Sequence, residues 1–158
     1  MIDLASRRVQ IVGSTPSPDH LFMRQVGRTL TVADEGVLGS HRVLICDRDA
    51  KWSAPVREQL GEAGICVVQT PFQAPNANAY AERFVRSIKE EWLDRVILFV
   101  DRRLRWTIAE FVAHYHGERN HQGLGNELID GAPPVDSGHG IHRHQRLAGL
   151  LNYYARAA

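Results

Sequence analysis

Apolar positions fall in short blocks whose spacing changes along the chain. Ile2–Leu4 and Val9–Val12 are β-branched runs on either side of 5–8 and predict a hairpin. Ser14–Pro18 interrupts the pattern. Ser17 is placed to cap a helix that has Pro18 first and Asp19 in its first turn. Leu21, Phe22, Val26 and Leu30 would form its inward face. After a turn at Gly36–Ser40, the unbroken run Val43–Cys46 predicts a strand buried on both faces. A helix over Ala54–Ala63 follows, with Val56 and Leu60 inward and Gly64 as its stop. Ile65–Gln69 reads as another strand, and the two prolines in Pro71–Ala77 mark a loop. Asn78 is placed to cap a helix over Ala79–Arg95 with the stripe Ala81, Phe84, Val85, Ile88 and Trp92. Arg102–His116 reads as a further helix with Leu104, Ile108, Phe111 and Val112 inward. Gly117–Gly138 reads as loop, and Ile141–Ala158 as a tail that is basic at first and then apolar.

The predicted order is β-β-α-β-α-β-α-α, which argues for an α/β fold with a mixed sheet. At 158 residues the chain suits one domain with a real core, and 44% apolar with 23% charged residues argues against disorder. A net charge of only +1 does not mark a nucleic-acid binder, so local clusters have to make that case. Cys46 and Cys66 lie in strand-like runs without zinc spacing and read as small buried residues. The N-terminus lacks a signal-peptide core, and no apolar run approaches the ~20 residues that span a bilayer, so a soluble, non-secreted protein without membrane partners is expected. Trp52, Trp92 and Trp106 are expected against helices. His139, His142 and His144, with Arg143 and Arg146, read as a solvated basic tail, whose functional version would be nucleic-acid contact.

The candidate chemistry lies in two carboxylates. Asp47 directly follows the strand Val43–Cys46, and chemistry in open α/β sheets gathers at the carboxyl ends of strands. Glu82 stands in the first turn of the Asn78 helix, 35 positions on, with one helix and one strand between. Both can therefore return to one sheet edge. Carboxylates on rigid elements hold hard divalent metals, which can activate a water or 3′-hydroxyl at a phosphodiester. Spacing alone leaves an ordinary Glu82–Arg86 surface pair as the simpler reading. Arg86 and Lys89 share the Glu82 face, with Arg83 beside it, which suits a polyanionic substrate.

The words around these residues are more specific. The segment 44–49, Leu-Ile-Cys-Asp-Arg-Asp, resembles the strand-then-Asp-Arg signature of DDE-type integrase-like transposases. The segment 75–84, Pro-Asn-Ala-Asn-Ala-Tyr-Ala-Glu-Arg-Phe, resembles their Glu-bearing helix start, at the family's spacing. Tyr115, Arg119, His121, Gln122, Gly123 and Leu124 resemble the motif downstream of that Glu, with Asn120 in place of the usual Pro. The segment 3–7, Asp-Leu-Ala-Ser-Arg, resembles the hairpin ahead of them. The resemblance covers 1–126 as a partial catalytic core and leaves 127–158 as a C-terminal tail.

It implies a ribonuclease-H-like mixed sheet flanked by helices, with Mg²⁺ or Mn²⁺ at the site. It also implies DNA 3′-end cleavage and strand transfer on transposon ends and target DNA. Asp47 and Glu82 carry over as catalytic metal ligands, and Arg83, Arg86 and Lys89 as DNA contacts. Asn78, Tyr115, Arg119 and His121 carry over as motif-supporting residues. The family setting is a homo-oligomer in the bacterial cytoplasm, associated with the nucleoid.

The family's first catalytic Asp lies on a central strand ahead of the hairpin at which this sequence starts. An N-terminally truncated, inactive core with an incomplete metal site is therefore expected. Asp3 matches a non-catalytic position, and Asp49 reads as a turn residue. The alternative function is a non-catalytic remnant that binds DNA or a partner transposase. A different ribonuclease-H-like nuclease is disfavoured by the Tyr115–Leu124 motif.

Overall fold

A computed structural model describes residues 1–32, 37–39, 41–73, 75–96, 101–131 and 140–156. The chain forms two compact units: Met1 with 10–82, and 2–9 with 83–158.

The first unit is built on α1 (His20–Thr31), β1 (Val43–Cys46), α2 (Ala54–Glu62) and β2 (Cys66–Gln69). The strands pair in parallel, with Leu44 opposite Val67 and Cys46 opposite Gln69. The helix α2 forms the crossover between them, as a parallel pair requires. Its end is a Schellman motif. Ile65 N–H donates to the Leu60 carbonyl, Gly64 N–H donates to that of Gly61, and Gly64 takes a φ of +81°. That turn drops Ile65 onto Leu60 inside the core formed by Met23, Leu30, Leu38, Leu44, Val56, Leu60 and Ile65.

Three expectations shift here. The cap of α1 is Asp19, whose Oδ1 accepts from Phe22 N–H at 2.8 Å, and not Ser17. The inward face of α1 is Met23, Gly27 and Leu30; Phe22 and Val26 lie on its margin, and Leu21 is 73% exposed. Gly27 faces α2 in this rotation, and a Cβ there would stand 2.9 Å from Gln59 Nε2, at the end of that side chain. The strand β1 buries one face only: Leu44 and Cys46 point in, while Val43 and Ile45 are exposed. Both cysteines were expected to be buried; Cys46 at the end of β1 is, but Cys66, which opens β2 opposite the exposed Val43, is exposed. The turn expected at Gly36–Ser40 is seen at 37–39, and its ends fall outside the described residues.

The second unit holds most of α3 (Ala79–Glu91), α4 (Asp101–Gly117) and the strands β3 (Ile141–Arg146) and β4 (Leu151–Arg156). A 3-10 turn, Pro75–Asn78, leads straight into α3, so Asn78 extends the helix start instead of capping it. The core of this unit is Val9, Phe84, Ile88, Trp92, Phe111, Tyr115, Leu147 and Leu151. Val85 and Trp106 are exposed, against expectation. The buried face of α4 is rotated toward Thr107, Phe111, His114, Tyr115 and His116, leaving Leu104, Ile108 and Val112 half-buried. Thr107 can be fully buried because its hydroxyl donates to the Arg103 carbonyl at 2.8 Å.

The expected N-terminal hairpin contracts to the single antiparallel bridge Ile2–Val9, closed by Asp3, whose Oδ1 accepts from the Ala5 and Ser6 N–H groups. The tail, by contrast, is ordered into an antiparallel hairpin, β3 against β4. Among the described residues the fold is thus mixed α/β with two small sheets, β1–β2 parallel and β3–β4 antiparallel.

Two outcomes follow. A thiol reagent under native conditions should modify Cys66 quickly, and Cys46 only after unfolding, because burial and the adjacent Asp47 charge raise the Cys46 thiol pKa. Counting modified thiols by mass spectrometry before and after denaturant checks this. Phe111→Ala should cost about 3–5 kcal/mol in a denaturant titration, as removal of a fully buried ring does.

Candidate metal and DNA site

Asp47 sits one residue past β1, where the chain leaves the sheet. Its Oδ2 lies 3.4 Å from Lys51 Nζ. Its Oδ1 is buried and has no hydrogen-bond partner among the described residues. Asp49 closes the same turn: Oδ1 accepts from Lys51 N–H at 2.9 Å, and Oδ2 pairs with Lys51 Nζ at 2.9 Å. Those bonds from Lys51 hold the Asp49 carboxyl below the ordinary carboxylate range. Burial alone would lower the Lys51 ammonium, but the bond to Asp49 and the Asp47 charge outweigh it and raise its pKa. Lys51 therefore stands as the cation of this turn, a role its sequence position gave little sign of. It is i+4 from Asp47 but outside any helix.

Glu82 falls in the first turn of α3, within the same compact unit as Asp47. Glu82, Arg83, Arg86 and Lys89 are all exposed. Among the described residues, no group of three or more His, Cys, Asp or Glu side chains gathers as a metal site. His142 and His144 stand on one face of β3, and His139 lies outside the described residues.

The Tyr115 motif is a packing knot. The Tyr115 ring meets Phe84 edge-on at 5.0 Å and His121 at 4.5 Å. His121 Nε2 donates to the Tyr115 carbonyl at 2.7 Å, which fixes where that ring carries a proton. Arg119 lies over the Tyr115 ring at 5.9 Å and pairs with Glu91 at the end of α3. Burial raises the Tyr115 phenol pKa, partly offset by the charges of Arg119, Arg83 and Arg7. This knot holds the end of α4 against the helix that follows Glu82.

The pair His114 and His116, which the sequence marks as an interface or core feature of the Tyr115 motif, is buried, with partners the sequence did not name. His116 Nε2 accepts from Val9 N–H at 2.9 Å, fastening the N-terminal bridge to α4. Arg146 reaches Glu110 at 2.8 Å and Glu118 at 2.7 Å, and Glu118 also meets His114 Nδ1 at 2.8 Å. Arg146 is thus half-buried in a carboxylate clamp, and not a solvated tail residue. The only sequence signal was the i, i+4 spacing of His114 and Glu118 on one helix face.

Burial, reinforced by the Arg8 charge, lowers the His116 pKa below its ordinary 6.5. The unfolded chain then binds more protons than the folded one as pH falls through about 6.5, so stability is lost in that direction. Melting temperature should fall as pH drops from about 7 toward 5, and His116→Gln should flatten the slope. Separately, Glu118→Ala should cost about 1.5–3 kcal/mol in chemical denaturation, since it strips a charged partner from both Arg146 and His114.

Residues 64–127 match the family model of the integrase core domain. No curated protein and no solved structure matches the chain. None of the described helices is long and apolar enough to cross a membrane. The matched segment begins at Gly64, which ends the turn after α2, and takes in Glu82 and the Tyr115–Leu124 motif. Residues 64–127 are therefore similar to an integrase core domain.

Proposed function

We propose that this chain carries part of the active site of a DDE transposase, with Asp47 and Glu82 as two of its metal-binding carboxylates. The integrase core match across the segment containing Glu82 carries the reading. The buried Asp47 Oδ1, without a hydrogen-bond partner among the described residues, supports the metal part, because a carboxylate oxygen turned away from water without a donor suits a cation.

A hard divalent ion, Mg²⁺ or Mn²⁺, would be held by Asp47 and Glu82 and would supply activation of a water or 3′-hydroxyl at a DNA phosphodiester. The remaining work belongs to the chain's own residues. Asp47 is held at a strand end, so its carboxylate has a fixed origin. Lys51 keeps Asp47 Oδ2 oriented and lowers the cost of gathering negative charge there. Arg83, Arg86 and Lys89 are exposed on α3 and free to take the phosphates of a transposon end or target. Tyr115, Arg119 and His121 position α3 through the knot, which meets it at Phe84 and at Glu91.

The 158-residue chain alone is inactive in this reading, because strand transfer draws on a third carboxylate. Calorimetric titration with Mn²⁺ should show weak binding that Asp47→Asn or Glu82→Gln each weakens by about tenfold or more. The chain alone, given Mn²⁺ and a labelled transposon-end duplex, should yield no strand-transfer product. Product formation lost on Glu82→Gln would overturn the inactivity. Mn²⁺ binding indifferent to both substitutions would overturn the metal assignment.

A further inference from the structure

We propose that Lys51 is a tethered counter-ion that covers Asp47 in place of a divalent cation, and that Asp49 holds it aside when such a cation binds. This role rests on the reading of Asp47 as a metal ligand and deepens it. Lys51 and Asp49 are positioning residues here, and neither is assigned to the metal. Asp47 offers one approachable oxygen. Its Oδ1 is buried, yet the side chain is 48% exposed, so the exposure lies on the Oδ2 side. That is the side the Lys51 ammonium covers, at 3.4 Å. Neighbouring cations are committed elsewhere. Arg48 Nε donates to the Thr70 carbonyl at 2.9 Å, with its guanidinium over the Phe72 ring, and Arg57 donates to Gln69 Oε1 at 2.7 Å. Lys51 is therefore the described side chain that decides whether Oδ2 is open.

Two distances show how the ammonium is shared. A charge-assisted N–H···O bond closes to about 2.7–2.9 Å. Lys51 Nζ reaches that length at Asp49 Oδ2, 2.9 Å, and falls short of it at Asp47 Oδ2, 3.4 Å. The Asp49 contact is the stronger, so the Asp47 contact is the one that yields. Asp49 is itself fixed within the turn. Its Oδ1 accepts from Lys51 N–H at 2.9 Å, and its carbonyl accepts from Trp52 N–H at 3.1 Å. The ammonium can withdraw from Oδ2 and remain bonded to Asp49, so opening Asp47 leaves no unpaired cation behind. Such a turn keeps Asp47 neutralised in the empty site and frees it at little cost, because the displaced charge already has its better partner.

Calorimetric titration of the full chain with Mn²⁺ tests this through a double-mutant cycle. Lys51→Met keeps the aliphatic stem and removes the ammonium. It should tighten Mn²⁺ binding about two- to fivefold, the worth of an exposed ion pair. Lys51→Gln replaces it in the cycle if the Met variant melts earlier than the parent, and Lys51→Arg should bind like the parent. Asp49→Asn retains the backbone acceptor and loses the charge that holds Lys51. It should weaken binding by a similar factor in the parent and have no effect in the Lys51→Met background. That non-additivity separates a role through Lys51 from simple attraction across space. Weakening by the same factor in both backgrounds would overturn the proposal. Unchanged affinity in Lys51→Met, while Asp47→Asn still weakens binding, would overturn it too and leave the metal reading standing. Mn²⁺ binding by neither the parent nor Lys51→Met would overturn both.

Discussion

The C-terminal half of α4 buries three consecutive residues, His114, Tyr115 and His116, together with Phe111 one turn earlier. Three successive positions cover most of a helix circumference, so this stretch is enclosed on several sides. An enclosed helix that is half polar is tolerable only if every imidazole finds a partner. Each does: His116 takes the Val9 amide, and His114 takes Glu118, which Arg146 then neutralises. These bonds tie the N-terminal bridge and the C-terminal hairpin to one helix, although the two lie at opposite ends of the sequence. The aromatic contacts of Phe84, Phe111 and Tyr115 fill the space between them.

The first unit follows a simpler rule. A Gly64 turn in the left-handed region folds β2 back beside β1, and the parallel pairing fixes the end of β1 from which Asp47 projects. A strand terminus offers a backbone held by its neighbour's hydrogen bonds and a side chain released from the pleat. That combination gives a carboxylate a fixed root, here with Oδ1 buried and Oδ2 toward Lys51. The Lys51 ammonium balances the charge that such an arrangement concentrates.

Much of the core segment was legible. The helices over 54–62 and 79–91, the strands and the Gly64 stop were marked by periodicity and by glycine chemistry, and these are local signals. Helix rotation was less legible, because it is set by what the helix packs against: α1 turns Gly27 toward Gln59 of α2, and Val9, Glu118 and His121 meet the histidine-bearing face of α4. The hairpin at the C-terminus was missed because its strand face toward the core is carried by Arg146 and Leu151, and a charged residue there breaks the apolar alternation. The candidate carboxylates were found from motif words, whereas Lys51 was not, since a turn-borne ion pair leaves no periodic trace.

The Arg146 clamp also bears on where a minimal folded piece can be cut. Similarity to the integrase core stops at 127, which invites a boundary there. Glu118, only 8% exposed at its side chain, would then lose its guanidinium, and the pocket filled by Leu147 and Leu151 would open to water. The unit of sequence likeness and the unit of physical stability do not coincide, and the second extends past Leu151.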